Sequence, residues 1–182
     1  MVPKGFSNLM VTVAVSASHV GFCGLRLEPT WTAIGQAGGL AAHLLLKKNQ
    51  KVTDLAVKEL QKLLHQNQAK TIYISDIDAD SEYFMAVQHF GLKGYLHDAY
   101  LMDTLQMPGV ETYKSIWGTQ YANAYPFHAL KPDQKLEPEL AKKWINRIEN
   151  ETVKSKAYSY LNNNELSRGE LLLKLYELLN PN

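Results

Sequence analysis

The 182 residues can bury one substantial hydrophobic core or two small ones, and a composition of 46% hydrophobic and 20% charged residues excludes a disordered or fibrous protein. A formal net charge of +1 gives the chain no general attraction to nucleic acid or to an anionic membrane. Cys23 is the single cysteine, which excludes an internal disulfide and a thiolate zinc cluster.

The first predicted element is a short buried strand. Residues 8–17, NLMVTVAVSA, are rich in β-branched side chains and lie between turn-forming residues. A signal peptide needs a continuous apolar run of roughly 7–15 residues, which Asn8 and Thr12 interrupt, so none is predicted and the compartment is left open. Gly21 and Gly24 are expected to break the chain after the strand.

A helix is predicted from Pro29 to Lys48. Proline suits the first turn of a helix, where its missing N–H leaves no donor unpaired. The helix contains Gly35, Gly38 and Gly39, and glycine costs about 0.8–1 kcal/mol at each such position. Two explanations stay open: a backbone or a flat ligand approaches this face closely, or the glycines allow tight packing on a strand. Its apolar part, Trp31–Leu46, is too short for a membrane span of about 20 apolar residues and contains Gln36 and His43.

A second helix, capped by Thr53 or Asp54, is predicted for the amphipathic run DLAVKELQKLLHQN. Near Ala69 the sequence changes to a short β-like run, KTIYIS, followed by acidic turn residues. We therefore place a domain boundary there and expect two domains, residues 1–69 and residues 70–182.

The second domain is predicted to be a small, mostly helical module. Its helices are expected at Ser81–Phe90, Pro138–Ile148 and Ser167–Leu179, with a glycine-punctuated turn after the first of them. Ser167 and Glu170 have the Ser-x-x-Glu spacing of a capping box, which predicts where the last helix begins.

No metal site is predicted. The segment DIDADS, which begins at Asp76, resembles the start of a calcium loop, but Ser81 and Val87 occupy the positions that require Gly and Glu. A solvated acidic turn that caps the next helix explains this segment. Cys23 is expected to be a small buried hydrophobe. The six histidines show no zincin spacing: His19, His43, His65, His89, His97 and His128. Most are expected at the surface or in helix packing, as for His43, His65 and His89, whereas His19 is set apart by its position just past the predicted strand.

The segment that most favours ligand binding is Arg26–Thr30, at the start of the glycine-containing helix. A helix N-terminus offers unpaired N–H groups and a positive dipole end, which would stabilise negative charge on an electron-rich ring carbonyl. Arg26 would add to this field or clamp a carboxylate, and Glu28 would pair with Arg26 or bond backbone donors. His19 lies just past the predicted strand, seven residues before Arg26.

Three motifs follow one another in the first 65 residues: VPKGFSNLMV at Val2–Val11, SASHV at Ser16–Val20 and RLEPTWTAIGQAGGLAA at Arg26–Ala42. They resemble the C-terminal end of a bacterial family of FAD-dependent oxidoreductases. That family has a VPKG-x-x-NLLV strand, then S-x-(S/T)-H-V, then an R-x-EP-x-x-x-x-x-GQAAG-x-AA helix. Gly38 stands where the family more often has alanine.

The resemblance implies a flavin-binding role for Arg26, Leu27, Glu28, Pro29 and Thr30, beside the pyrimidine edge of the flavin. There the helix dipole would stabilise the anionic reduced ring. It further implies that His19 and Arg26 face the substrate and act in catalysis. A similar His and Arg hold the substrate carboxylate in flavoproteins of the fumarate-reductase type.

A complete member of the family carries a Rossmann Gly-x-Gly-x-x-Gly turn, which cradles the FAD pyrophosphate, and an acidic residue roughly 20 positions later. Neither occurs in this sequence. The chain is therefore interpreted as a C-terminal fragment of an FAD-dependent oxidoreductase, with a Rossmann-type FAD-binding portion as its partner. FAD is expected in the intact protein, and this chain alone is expected neither to retain FAD nor to be active. An excised domain, a truncated reading frame and a split gene are left open.

The second half carries two segments, ISDIDADSEYFMAVQHFGLKGYL and LSRGELLLKLYELL, that resemble the opening and closing helices of an S-layer homology module. Such modules contact cell-wall polymers in other proteins. The alternative function is therefore a glycan- or protein-binding module attached to a remnant of the oxidoreductase. Four aromatic residues could form a carbohydrate platform or pack in a core: Trp117, Tyr121, Tyr125 and Phe127.

The expected fold class is α+β and mainly α. Short strands and two helices are expected to complete a flavoprotein α/β domain, followed by the small helical module. Because the domain would be incomplete, Val11, Val13, Val15 and parts of the glycine-containing helix are expected to be exposed. No nucleic-acid partner and no membrane span are expected, and the substrate is left open.

Overall fold

The computed structural model describes residues 2–99, 129–162 and 165–181 of the chain. The contacts within the chain divide it into two compact units, Met1–Ala69 and Lys70–Asn182. Both units are helical, and the described residues contain no β-strand, only an isolated antiparallel bridge between Lys135 and Ser167. The fold is thus mainly α, as predicted, but the predicted strands do not form.

The first unit consists of helices α1 (His19–Leu25), α2 (Glu28–Lys48) and α3 (Val57–Gln66), with a 3₁₀ turn at Val52–Asp54. The predicted helix at Pro29–Lys48 is confirmed as α2, which ends at Asn49 in the left-handed conformation (φ 51°). The predicted helix after it begins later than expected. The carboxylate of Asp54 accepts the Lys51 N–H (3.3 Å) and closes the 3₁₀ turn, so α3 starts at Val57.

The predicted strand at residues 8–17 is wrong. This segment has no strand partner in the described part of the chain, and a strand without a ladder leaves its backbone groups unpaired. Instead it bends locally, with the Val15 N–H bonded to the Val13 carbonyl (2.9 Å), and it runs beside α2. Gly38 in α2 allows this approach, because a Cβ there would lie 2.5 Å from Thr12 Cγ2.

Helix α1 was not predicted, because its two glycines indicate a break in the chain. Ser18 overrides that signal: its hydroxyl accepts the Gly21 N–H (3.1 Å) and caps the helix. No residue of α1 is buried, and Cys23, which was expected to be buried, is exposed.

In the described residues of the second unit, the main helices are α4 (Phe84–Gly91), α5 (Pro138–Asn146), α6 (Glu151–Ser159) and α7 (Arg168–Leu179). Residues 95–99 are also helical, and a 3₁₀ turn follows α6 at Tyr160–Asn162. The capping box predicted for α7 is confirmed, with Ser167 Oγ accepting the Glu170 N–H (3.2 Å) and Glu170 Oε2 accepting the Ser167 N–H (2.7 Å). Helix α6, which Asn150 caps, was not predicted.

The β-like run at residues 70–75 is not a strand, because a side chain replaces the neighbouring strand. The Gln88 Oε1 atom accepts the N–H groups of Thr71 (2.7 Å) and Ile72 (3.0 Å). The Gln88 Nε2 atom donates to the Ile72 carbonyl (3.1 Å). The buried amide therefore satisfies the same backbone groups that a strand ladder would have paired.

A buried ion pair and a carboxylate fix residues 130–137 in the second unit. The guanidinium of Arg168, which is fully buried, donates to both carboxylate oxygens of Glu137 (3.1 and 2.7 Å) and to the Leu130 carbonyl (3.2 Å). Burial by itself raises the pKa of Glu137, but hydrogen bonds from Arg168, from the Glu137 backbone and from Gln134, together with the charge of Arg168, outweigh it and hold the pKa below its ordinary value. Asp76 accepts the N–H groups of Leu130 (2.9 Å) and Lys131 (2.6 Å).

The two units differ in how much apolar surface they bury. The hydrophobic core of the described residues lies in the second unit and is built around Phe90, Trp144 and Leu172. In the first unit, the buried hydrophobic side chains are only Ala41, Leu45 and Leu64 among those described. Most of the exposed large hydrophobic side chains also lie in that unit: Val2, Phe6, Leu9, Val13, Val20, Phe22, Leu27, Leu46 and Val57.

Candidate functional site

The predicted site segment, Arg26–Thr30, forms the junction of α1 and α2. Arg26 ends α1 in a helical conformation, and its N–H donates to the Phe22 carbonyl (2.9 Å). Leu27 is extended (φ −76°, ψ 136°) and starts α2, in which Pro29 occupies the first turn. The five residues therefore combine a short connection with a helix N-terminus, as the spacing of the motif predicts.

The N-terminus of α2 is open. Leu27 supplies no side-chain acceptor, and the first bond of the helix runs from the Trp31 N–H to the Leu27 carbonyl (3.1 Å). The N–H groups of Glu28 and Thr30 precede that bond and lie at the positive end of the dipole. The Glu28 carboxylate in the first turn is favourable there, and the Glu28 carbonyl accepts the Thr32 hydroxyl (3.0 Å).

His19 and Arg26 lie at the two ends of α1. Seven residues separate them, so they share a face of the helix and stand about 10 Å apart along its axis. Both are exposed, and within the described part of the chain neither side chain forms a hydrogen bond or an ion pair. The ion pair between Arg26 and Glu28, one of the two roles considered for Glu28, is not among the pairs of the described residues.

The Trp31 side chain adds a polar group that the sequence did not single out. Its indole Nε1 atom is buried and has no hydrogen-bond partner among the described residues. Leaving a buried donor unpaired costs about 1–3 kcal/mol. Trp31 follows Thr30 directly, so this unpaired donor lies in the first turn of α2, beside the predicted flavin-binding residues. From the sequence, Trp31 reads only as an apolar residue of the helix.

The three glycines of α2 separate the two explanations that the sequence left open. Gly38 serves packing, because it is buried against Thr12. Gly35 and Gly39 do not, since a Cβ at either position would have no heavy atom within 4 Å. These two glycines leave a flat strip of α2 open, although alanine would favour the helix by about 0.8–1 kcal/mol at each position.

In the second unit, the described residues form an open depression of about 350 Å³. It is lined by Ser159, Tyr160, Asn162, Leu166 and Lys174. The Lys174 ammonium lies 5.7 Å from the centroid of the Tyr160 ring. The predicted aromatic platform of Trp117, Tyr121, Tyr125 and Phe127 lies outside the described residues.

The comparison with known protein families finds a match in the first unit. Residues 1–64 match the FAD dependent oxidoreductase family. This match confirms the resemblance over that part of the chain, and FAD is the cofactor that the family implies. The comparisons give no support to an S-layer homology module in the second unit. No curated protein and no solved structure matches the chain.

The residues that are present fit one end of FAD. The open N-terminus of α2 and the unpaired Trp31 donor suit the edge of an electron-rich ring, and the bare strip at Gly35 and Gly39 leaves room for a closely approaching backbone. The sequence offers no Gly-x-Gly-x-x-Gly turn for the pyrophosphate. The described residues also contain no group of three side chains that could hold a metal ion.

Proposed function

We propose that residues 1–64 form the flavin-facing end of an FAD-dependent oxidoreductase, with Arg26, Leu27, Glu28, Pro29 and Thr30 beside the pyrimidine edge of the flavin. The family match supports the class of enzyme. The single observation that supports the position is the uncapped N-terminus of α2, whose donors have no side-chain acceptor. When bound, FAD would supply the hydride-transfer chemistry.

In this proposal the dipole of α2 stabilises negative charge at the ring carbonyl that faces the helix. A helix end carries roughly half an elementary charge, and the effect falls off within the first turn. The ring edge must therefore lie against Glu28, Pro29 and Thr30 rather than farther along α2. The Trp31 indole N–H donates to an acceptor of the bound cofactor or of the FAD-binding partner, which removes the cost of leaving it unpaired.

His19 and Arg26 are assigned to the substrate side. The guanidinium of Arg26 is a fixed cation with paired donors, which suits a carboxylate of the substrate. His19 shares the same face of α1 about 10 Å away, where its imidazole can bind the far end of the substrate or carry a proton. The exposure of both side chains leaves them accessible to a ligand that approaches this face.

The proposal requires a Rossmann-type FAD-binding polypeptide as partner. Six large hydrophobic side chains of the first unit mark an interaction surface: Val2, Leu9, Val13, Val20, Phe22 and Leu27. The pyrophosphate must be cradled by the partner, because this sequence has no glycine-rich turn for it. We therefore expect this chain alone neither to retain FAD nor to turn over substrate.

Reconstitution tests the proposal. The purified chain would be combined with the FAD-binding portion of a family member, and flavin absorbance after gel filtration and flavin reduction by reductant would be measured. We expect flavin to elute with the complex and not with this chain alone. If the complex forms and its flavin behaves as it does without this chain, the flavin-facing role is wrong.

Two variants then separate the roles of the residues. Arg26→Ala should reduce turnover more than flavin content, while Lys62→Ala, which removes an exposed cation elsewhere in the same unit, should change neither. An equal loss of turnover and flavin in the Arg26 variant would contradict its substrate-side role and leave the cofactor-binding role standing.

A second candidate function concerns the second unit. The depression beside α7 combines an aromatic ring, an amide and an ammonium group, and this combination favours a glycan or a protein segment as ligand. The test is a glycan array and a pull-down with the full chain and with Tyr160→Ala. Binding that the variant does not lower would exclude this depression.

A further inference from the structure

One end of the first unit combines lysines with protruding apolar side chains. The Val52 N–H donates to the Ser7 carbonyl (2.9 Å), and Lys48 forms an ion pair with Glu59. These contacts bring residues 4–9, the last turn of α2, the 3₁₀ turn and the first turn of α3 to the same end. We call it the basic end and define it by six exposed residues: Phe6, Leu46, Lys47, Lys51, Val57 and Lys58.

The apolar side chains of the basic end are unusually open to solvent. Leu46 is 83% exposed, Val57 is 58% exposed and Phe6 is 56% exposed. Single exposed hydrophobic residues are common on protein surfaces. Here three of them lie on segments that the hydrogen bond and the ion pair bring to the same end of the unit.

The first unit carries an excess of positive charge, most of it on lysines. Residues 1–69 contain seven Lys and Arg and three Asp and Glu, which gives a net charge of +4, whereas the whole chain has +1. Residues 46–59 contain four lysines and two carboxylates, those of Asp54 and Glu59. Glu59 pairs with Lys48, whereas Asp54 accepts only the neutral backbone N–H of Lys51 (3.3 Å) and keeps its charge, so this stretch carries a net charge of +2.

Helix stability explains Lys47 but not Lys58. Lys47 lies in the last turn of α2, where a cation is favoured by the helix dipole. Lys58 lies in the first turn of α3, where the same dipole opposes a cation. Val57, a β-branched residue with low helix propensity, is exposed beside it. Residues that are unfavourable for the helix they occupy, and that gain no structural contact in return, tend to mark functional surfaces.

We propose that the basic end binds the surface of an anionic lipid bilayer, with Phe6, Leu46 and Val57 in the headgroup region and the lysines on the anionic headgroups. Aliphatic side chains flanked by lysines are typical of segments that lie on a bilayer. A protein partner fits less well. Lysine is depleted in the cores of protein interfaces, and residues 46–58 contain none of the Trp, Tyr or Arg anchors that dominate them.

The contact would be peripheral. Among the described residues, no helix has the length and apolar character needed to cross a bilayer. Near an anionic surface each lysine strengthens binding roughly fivefold, and the effect is screened within a Debye length of about 10 Å at 0.1 M salt. Binding should therefore depend on anionic lipid and weaken as salt is raised.

The test is sedimentation of the full chain with vesicles of phosphatidylcholine, with and without phosphatidylserine. We expect binding only to the anionic vesicles. The triple variant Lys47→Gln/Lys51→Gln/Lys58→Gln should bind about 100-fold more weakly, from three fivefold steps. The matched control Lys142→Gln/Lys143→Gln/Lys156→Gln removes the same charge from the second unit and should bind within about twofold of the parent chain.

The apolar part of the contact has its own variant. Leu46→Gln/Val57→Gln should weaken binding while the salt dependence stays that of the parent chain, because the lysines remain. Circular dichroism checks that each variant keeps its helices. Equal binding to neutral vesicles, an equal loss in the control triple, or capture of duplex DNA or polyglutamate in place of vesicles would each overturn the proposal.

Discussion

Exchanging Gly39 for alanine should have opposite effects in the free chain and in a complex with an FAD-binding polypeptide. In the free chain, the new Cβ would have no heavy atom within 4 Å. Alanine favours a helix by about 0.8–1 kcal/mol over glycine, so local opening of α2 should become roughly fivefold rarer. In the complex, the same methyl group would hold the partner away from the open strip of α2, and flavin retention should fall.

Gly38 provides the matched comparison, because it lies one residue away and faces inward. A Cβ there would lie 2.5 Å from Thr12 Cγ2, which is closer than nonbonded carbon atoms approach. Overpacking of this kind costs about 1–3 kcal/mol, which outweighs the gain in helix propensity. Gly38→Ala should therefore loosen residues 8–17 from α2. The added exchange Thr12→Ser removes the Cγ2 atom and should restore the contact.

Hydrogen exchange measured by mass spectrometry follows both effects on peptides from α2 and from residues 8–17. Slower exchange in Gly39→Ala and faster exchange in Gly38→Ala are expected in the free chain. Flavin retention in the reconstituted complex gives the second measurement. If Gly39→Ala left flavin retention unchanged while it slowed exchange, the partner would not cover the Gly35 and Gly39 strip, and that part of the reasoning would be refuted.

Three further predictions concern stability. Arg168→Ala should lower the free energy of unfolding of the second unit by about 3 kcal/mol in urea titrations, because it leaves the largely buried Glu137 without its partner. Arg147→Ala breaks a pair whose arginine is 42% exposed and should cost about 1 kcal/mol or less, so equal costs would contradict the distinction. Burial lowers the pKa of His65 in the folded chain, so the unfolded chain binds the proton more readily. The contribution of His65 to the stability of the first unit is therefore present above its ordinary pKa of 6.5 and is lost as the pH falls through its pKa in the folded chain. Hydrogen exchange of α3 should thus speed up at acidic pH, and His65→Phe should remove that dependence. Gln88→Leu should release residues 71–72, seen as faster exchange there without loss of α4, since two N–H groups lose their acceptor.

The helices that the sequence predicted best are those with strong end signals. Pro29 placed the start of α2 within one residue, and the Ser167–Glu170 box located α7. The missed helices have weaker signals. In α1 the low helix propensity of the two glycines hides the effect of the Ser18 cap. Helix α6 is capped by Asn150, but its polar and apolar residues do not form separate faces.

The candidate site likewise has features that the sequence predicted and features that only the structure showed. The motif located Arg26–Thr30, and the structure places these residues at an open helix start. The motif did not show that Trp31 has a buried, unpaired indole, because burial depends on residues distant in the sequence. Nor did it separate Gly38 from Gly35 and Gly39, which occupy the same helix and differ only in what lies opposite them. The roles of His19 and Arg26 stay predictions.

By itself, the sequence determined the mainly helical class, the helix ends that carry capping residues and the oxidoreductase motif, since these depend on residues close together in the chain. Only the tertiary structure decided that residues 8–17 and 70–75 are not strands. A strand exists only when a neighbouring strand pairs its backbone. The buried amide of Gln88 pairs the backbone of residues 70–75 instead, and residues 8–17 contact Gly38 without forming a ladder. The tertiary structure also showed that the first unit has a lysine-rich end, although the net charge of the chain is only +1. Contacts between segments distant in the sequence bring these lysines together.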